Sequence, residues 1–384
     1  MLIVDKNILV RQAIAGILRK DSRFKVFGIY GQKDLIGKSI EDTKPDVVLL
    51  DIESSDSLEV LSSLETKHPE LPVVVLSPRT TEGAKLALAA LKLGAIDFIT
   101  KPRFNRSLLF AGRHLNKRLI PILRTAVKAK SAKRARTIKD KSSTSLQFPF
   151  SETPALGNNL SRKRMPKVII IGACTGGPKA LSTLISGLPE DFHIPVVVAQ
   201  HLPRYYTSEL ANNLDKESAI SVEEAYEDAP LRPGKVWITP GGYHSEITMW
   251  NCKPFLRMHK GPREEGDRPS INNLFRSASG IFGRDILGII LSGRGKDGVE
   301  GAGIVSRSGG IMIVQDPDSA LVPELPAKVI QNGYADFYCD IKKMAGQLIN
   351  LWSKDTSTEK EEHNRQTLRG GVYRSESAKY LTYY

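Results

Sequence analysis

Cysteine is scarce: Cys174, Cys252 and Cys339 are the only three in 384 residues, too few and too scattered for a disulfide framework or a tetrahedral metal site. That scarcity fits a reducing compartment. No apolar run is long enough to span a bilayer, and Met1-Leu2-Ile3-Val4 passes directly into Asp5-Lys6 instead of into a signal-peptide core. A cytoplasmic protein is expected. Acid is missing in one place, because Asp140 is the only acidic residue between Arg113 and Lys141, and much of the net charge of +13 lies there. A basic run this local reads as a solvated helix end and linker, so no nucleic-acid partner is expected. What the chain does have is length for two or three domains and a composition, 41% hydrophobic and 25% charged, that supplies ordinary soluble cores.

The most informative stretch runs from Lys167 to Leu181. Val168 to Ile171 is an unbroken β-branched run, which reads as a strand buried on both faces of a parallel sheet. It ends at Gly172. Cys174, Thr175, Gly176-Gly177 and Pro178 follow, then a helix-compatible segment, which predicts strand, glycine turn and helix. Such a turn faces the crevice where open α/β sheets bind ligands. Cys174 therefore sits where a nucleophile would, although a lone cysteine after an apolar strand is also commonly a small buried hydrophobe.

Residues 1–104 alternate short apolar runs with helical spacing. Strands are predicted at Leu2–Val4, Lys25–Ile29, Val47–Leu50, Val73–Leu76 and Phe98–Ile99, with Val10 to Leu18 helical. This pattern implies a doubly wound parallel sheet. Asp5, Asp51, Ser77 and Lys101 then fall at strand ends around one crevice. These residues, with Gly94-Ala95-Ile96-Asp97-Phe98-Ile99-Thr100-Lys101-Pro102, resemble the receiver domain of two-component response regulators. The resemblance implies that Asp51 accepts a phosphoryl group from a histidine kinase, with Ser77 and Lys101 contacting it. It also implies a Mg²⁺ held by Asp5, Asp51 and Glu53. The family carries two adjacent acids where this chain has Asp5-Lys6, so the metal is expected to be held weakly.

Residues 105–165 read as a connector: a helix from Ser107 to Val127 interrupted at Pro121, then a Lys, Arg, Ser and Thr-rich linker. From 166 to 352 the alternation resumes, and Gln200-His201, Thr239-Pro240, Ser292 to Gly298 and Gln315-Asp316 end successive strands. The whole is thus expected to be two open doubly wound parallel-sheet α/β domains joined by a basic linker. Residues 353–384 read as a charged, mobile tail closing on the aromatic cluster Tyr380 to Tyr384, a docking segment or a frayed terminus.

Cys174, His201 and Asp297 each follow an apolar strand of the second sheet. Acyl transfer needs a nucleophile, a base to take its proton and a carboxylate to orient the base, and three strand ends can supply these. The motifs Gly172-Ala173-Cys174-Thr175-Gly176-Gly177-Pro178, Gln200-His201, Ile238-Thr239-Pro240-Gly241, Arg268-Pro269-Ser270 and Ser292-Gly293-Arg294-Gly295-Lys296-Asp297-Gly298 resemble the catalytic domain of chemotaxis protein-glutamate methylesterases. The resemblance implies hydrolysis of glutamate γ-methyl esters on the cytoplasmic helices of chemoreceptors, with glutamine deamidation in many members and no cofactor for catalysis. It implies Cys174, His201 and Asp297 as catalytic residues, and Thr175 and Gly176 as polar contacts. Backbone N–H groups near Cys174 and Arg294 would hold the oxyanion, and Arg268 would shape the substrate groove or make a structural ion pair. It further implies a receiver that shields the catalytic face until phosphorylated, a chemotaxis histidine kinase as partner, membrane contact only through receptors, and a monomer. The chain departs from the family in having Cys174 for serine, Arg294 for methionine, Asn272 for aspartate and Glu324-Leu325-Pro326 for Gly-Met-Pro. A catalytically weak homologue that binds receptors or a kinase as an adaptor is the alternative reading.

Overall fold

The computed structural model describes residues 1–30, 36–101, 118–129 and 165–353. Five strands, β1 (Leu2–Val4), β2 (Gly28–Tyr30), β3 (Val48–Asp51), β4 (Val73–Ser77) and β5 (Asp97–Thr100), alternate with α1 (Ile8–Leu18), α2 (Ile36–Thr43), α3 (Ser55–Lys67) and α4 (Thr81–Leu93). All pairings are parallel, in the order β2-β1-β3-β4-β5. Buried Val48 to Leu50 and Val73 to Leu76 explain why these strands read as continuous apolar runs. The strand expected at Lys25–Ile29 is displaced to Gly28–Tyr30. It is an edge strand, and Phe27, 44% exposed, precedes it outside the ladder.

Helix α5 (118–129) packs Leu119, Ile122, Leu123 and Ala126 against the same core face as Ile3, Leu49 and Leu76. The break expected at Pro121 does not occur among the described residues, because the helix runs through that position. The start of the predicted helix at Ser107, the rest of the basic linker and the tail beyond 353 lie outside the described residues.

The second sheet comprises β6 (Val168–Ala173), β7 (Val196–Gln200), β8 (Ser221–Glu224), β10 (Lys235–Ile238), β13 (Ile286–Ile290), β14 (Ile311–Gln315) and β15 (Phe337–Cys339). Their order is β15-β14-β13-β6-β7-β10-β8, all parallel, with β6 at the centre. Its helices are α6 (Gly177–Ile185), α7 (Tyr206–Glu217), α8 (Ile271–Phe282), α9 (Val299–Arg307), α10 (Glu324–Gln331) and α11 (Ile341–Ser353). The sequence reading missed a small antiparallel sheet of β9 (Ala229–Pro230), β11 (His244–Trp250) and β12 (Lys253–His259). Its polar, half-exposed strands lack the apolar runs that marked the parallel ones.

One hydrophobic cluster runs without interruption from β3 and α4 of the first sheet to α6, α7 and β7 of the second, so the two sheets share a core. Leu181 and Leu184 of α6, both fully buried in it, seat the helix that follows Cys174. Leu181→Ala is expected to destabilise the chain by about 2–5 kcal/mol through the cavity it opens. A urea midpoint equal to that of the wild type would show that α6 is seated by other contacts.

Candidate active site under the receiver-like domain

The site is assembled from the carboxyl ends of the central strands. Cys174 follows β6, His201 follows β7, and Asp297 precedes the helix after β13. The turn after Cys174 is tight, and Gly176 adopts a left-handed φ of 79° as cap of α6. A Cβ there would lie 2.5 Å from Ser292 Oγ, so only glycine satisfies both the conformation and the space. A Cβ on Gly177 would lie 2.0 Å from Gln200 Oε1. Gln200 needs that room, because its Nε2 donates to the Cys174 carbonyl at 2.8 Å and pins the turn.

Asp297 is almost fully buried and well supplied with donors. Its Oδ1 accepts from Ser270 Oγ (2.9 Å) and the Asn272 N–H (2.9 Å), and its Oδ2 accepts from the Ile271 N–H (2.7 Å). Those donors belong to the start of α8, where the unpaired N–H groups and the dipole favour an anion. Burial alone would push the Asp297 carboxyl up, but His201 and these backbone donors outweigh it and hold the group below its ordinary range. His201 Nε2 lies 2.7 Å from Asp297 Oδ2. With the Nε2 proton committed there, Nδ1 is the nitrogen left to face Cys174.

His201 is 3% exposed in its side chain and Cys174 is 7% exposed. Burial pushes the Cys174 thiol up, yet His201 and then Arg294 pull it below the ordinary thiol value. Burial likewise lowers His201, but Cys174, Asp267 and Asp297 raise it well above the ordinary imidazole value. The arrangement favours a thiolate beside an imidazolium.

The departures from the family pattern find partners. Asn272 Oδ1 accepts from the N–H groups of Gly298 and Gly301, both at 2.8 Å, so it fastens the Asp297 turn as a neutral acceptor. Lys328 Nζ reaches both the Gly295 carbonyl and Glu324 Oε1 at 2.7 Å, clamping the turn that carries Arg294. The Arg268 guanidinium donates to the Lys260 and Gly261 carbonyls and staples a loop, with no ion pair among the described residues. The Cys174 N–H donates to the Ser292 carbonyl at 3.1 Å.

Thr175 points toward the first sheet. Its Oγ1 donates to Asp97 Oδ2 at 2.6 Å, and Asp97 is pushed up by burial despite this bond and nearby Arg294 and Arg118. Phe98 stacks on Tyr206 with centroids 4.5 Å apart. The Tyr206 hydroxyl lies 3.0 Å from both Ser77 Oγ and the Pro78 carbonyl. Lys92 of α4 pairs with Glu217 of α7. A cavity of about 30 Å³ remains at this junction, lined by Asp97, Phe98 and Arg118 on one side and Cys174, His201 and Arg294 on the other. Sequence reasoning missed Tyr206 and Asp267; nothing in their local pattern marks a partner or a neighbour far along the chain.

In the first crevice Lys101 Nζ lies 3.1, 2.7 and 2.5 Å from carboxylate oxygens of Asp5, Asp51 and Glu53. Asp51 is pushed up to about 6, chiefly by burial, and Asp5 is raised for the same reason. Ser77, expected to face this crevice, donates its Oγ proton to the Gly83 carbonyl at 2.6 Å. Lys6 is exposed, and Arg11 lies behind Asp5, donating to the carbonyls of Asp5 and Lys6. Asp5 Oδ2 and Asp51 Oδ1 are the oxygens paired with Lys101 Nζ, so a Mg²⁺ bound by these carboxylates would share them with the ammonium. No cluster of three metal-ligating side chains occurs among the described residues. No helix there is long and apolar enough to cross a membrane.

Known families match both halves of the chain. The family model for CheB methylesterase matches residues 169–348, and that for the response regulator receiver domain matches residues 1–111. A protein-glutamate methylesterase/protein-glutamine glutaminase of Trichodesmium erythraeum is 33% identical over 351 residues, covering 91% of this chain and 97% of that one. One of Thermotoga maritima is 33% identical over 354 residues, covering 91% and 98%. The crystal structure of the Thermotoga maritima CheB methylesterase catalytic domain is 36% identical with a TM-score of 0.48, covering 49% of this chain and 100% of that one.

If the first sheet is what keeps Cys174 covered, loosening its contacts should expose the thiol. Tyr206→Phe removes bonds worth about 0.5–1.5 kcal/mol each. Alkylation of Cys174 by iodoacetamide is expected to become several-fold faster in the full chain. An unchanged rate would show that this contact does not hold the cover in place.

Proposed function

Because this chain belongs to the CheB methylesterase family and carries a response regulator receiver domain ahead of the catalytic one, we propose that it hydrolyses glutamate γ-methyl esters on chemoreceptors through Cys174. The observation that carries this reading is the 2.7 Å bond from His201 to an Asp297 held by the start of α8, beside a thiol whose ionisation is favoured. The Cys174 thiolate attacks the ester carbonyl, the carbon–methoxy bond breaks, and the His201 imidazolium gives its proton to the leaving methanol. Neutral His201 then takes a proton from water, which attacks the thioester and releases the γ-carboxylate and the thiol. With a glutamine side chain, ammonia leaves in place of methanol. The Thr175 and Gly176 N–H groups at the start of α6 serve the developing oxyanion. The His201–Asp297 bond, with Cys174 lining the same cavity as His201, supports hydrolysis over the adaptor reading.

The receiver controls this site by covering it. Tyr206 and Thr175 belong to the catalytic domain, and their partners Ser77 and Asp97 belong to the receiver. Asp51 is the phosphoacceptor for a histidine kinase, and Ser77 must leave Gly83 and Tyr206 to meet a phosphoryl group there. Asp5 and Asp51, with Glu53 at the rim, would hold Mg²⁺, which supplies positive charge to the phosphoryl oxygens when bound. Lys6 stands where the family has a second acid, so the metal is held weakly.

Two measurements test the reading. Methanol release from methylated receptor membranes is expected for the wild type, rising with a phosphodonor and lost in Cys174→Ala; Asp297→Asn should lower it by about 10³–10⁴-fold. Release unaffected by Cys174→Ala would remove the nucleophile assignment. Asp51 must be ionised to attack phosphorus, so labelling by a small phosphodonor should fall as the pH drops through about 6. It should depend only weakly on Mg²⁺ and gain that dependence in Lys6→Asp. Rapid, strongly Mg²⁺-dependent labelling unaffected by Lys6→Asp would contradict the weak-metal reading.

A further inference from the structure

Asp267 lies in the loop between β12 and α8, and no role has been given to it. Its Oδ2 is 3.6 Å from His201 Nδ1, while Asp297 Oδ2 is 2.7 Å from Nε2 of the same ring. A single buried imidazole thus faces a carboxylate at each nitrogen. His201 Nδ1 is itself buried and makes no hydrogen bond, so it is open to whichever neighbour shares its proton. The other charged or titratable groups around it come from four elements: Cys174 and Arg294 from the turns after β6 and β13, Asp97 from β5, and Arg118 from α5. Arg118 lies 3.9 Å from Asp267 Oδ1 and ties that carboxylate to the helix on the receiver side.

The chemistry of the two possible nucleophiles differs at this point. A hydroxyl needs a neutral imidazole to take its proton during attack, and a carboxylate at the receiving nitrogen would fill that position with a proton beforehand. A thiol works as a thiolate already paired with an imidazolium, so the same carboxylate stabilises the reactive pair. We infer that Asp267 is a second positioning carboxylate, which keeps His201 protonated at Nδ1 and commits the site to thiolate chemistry. The thiol proton of Cys174 moves to Nδ1. His201 is raised against the lowering effect of burial, by Cys174 first and Asp267 next, which agrees with this geometry. The inference deepens the hydrolase reading of Cys174 and rests on it for its catalytic meaning.

The test is the pH profile of Cys174 carboxamidomethylation by iodoacetamide in the full chain, resolved from Cys252 and Cys339 by peptide mass. Two limbs are expected in the wild type, one as the thiolate–imidazolium pair forms and one as the imidazolium loses its proton. In Asp267→Asn, which keeps the side-chain shape, the upper limb should move to lower pH by roughly one unit or more, as for loss of an opposite charge at this distance. Asp267→Ala should do the same, and Asp267→Glu should restore the limb towards its wild-type position. An upper limb unmoved in both Asp267→Asn and Asp267→Ala would overturn the inference. Thiol reactivity needs no substrate, so a moved limb without methanol release would leave Asp267 in its role and reject only the hydrolase reading.

Discussion

A buried carboxylate must be met by donors or it will not stay ionised, and Asp297 meets that demand at the start of α8. Two backbone N–H groups and the Ser270 hydroxyl occupy three of its acceptor positions, and the fourth is left for His201. The rest of the catalytic face follows from this. The imidazole is fixed in orientation and tautomer, its other nitrogen is turned toward Cys174, and the central strand β6 delivers the thiol. Asn272 shows how much of the surrounding structure serves this placement, since its side chain ties down the turn that presents Asp297.

The second constraint is the shared core. Because one apolar cluster extends through α4, α6 and α7, the receiver is seated on the catalytic domain by burial, and polar contacts add direction to that seat. Asp97 is the costly member, a carboxylate at the junction that accepts from the Thr175 hydroxyl and the Phe98 N–H and is raised by burial. Ser77 is held by Gly83 and met by Tyr206, so a residue at the strand ends of the first crevice is also in contact with the catalytic domain. A change in the crevice of Asp51 and Lys101 would therefore have a short physical route to the cover over Cys174.

Much of this was legible in the sequence where burial is symmetric. Val168 to Ile171, Val196 to Val198 and Leu287 to Leu291 could be read as two-sided parallel strands, and the residues at their ends proved to be Cys174, His201 and Asp297. The edge strand β2 was misplaced, and the β11–β12 hairpin escaped notice, because edge and half-exposed strands carry no such run. Arg268 illustrates a different limit: its motif drew attention to it, but only the fold shows that it binds loop carbonyls. Asp97 was seen as part of a receiver motif, yet its partner lies 78 residues away and no spacing rule connects the two.

The claim on which everything else rests is that Cys174 carries the acyl group. Full-length protein can be mixed with methylated receptor membranes and phosphodonor, quenched in acid during turnover, and its peptides weighed. A γ-glutamyl thioester on the Cys174 peptide, present during methanol release and absent when Asp297→Asn is used, is the predicted result. Methanol release at an unchanged rate with no adduct at Cys174 would contradict the account.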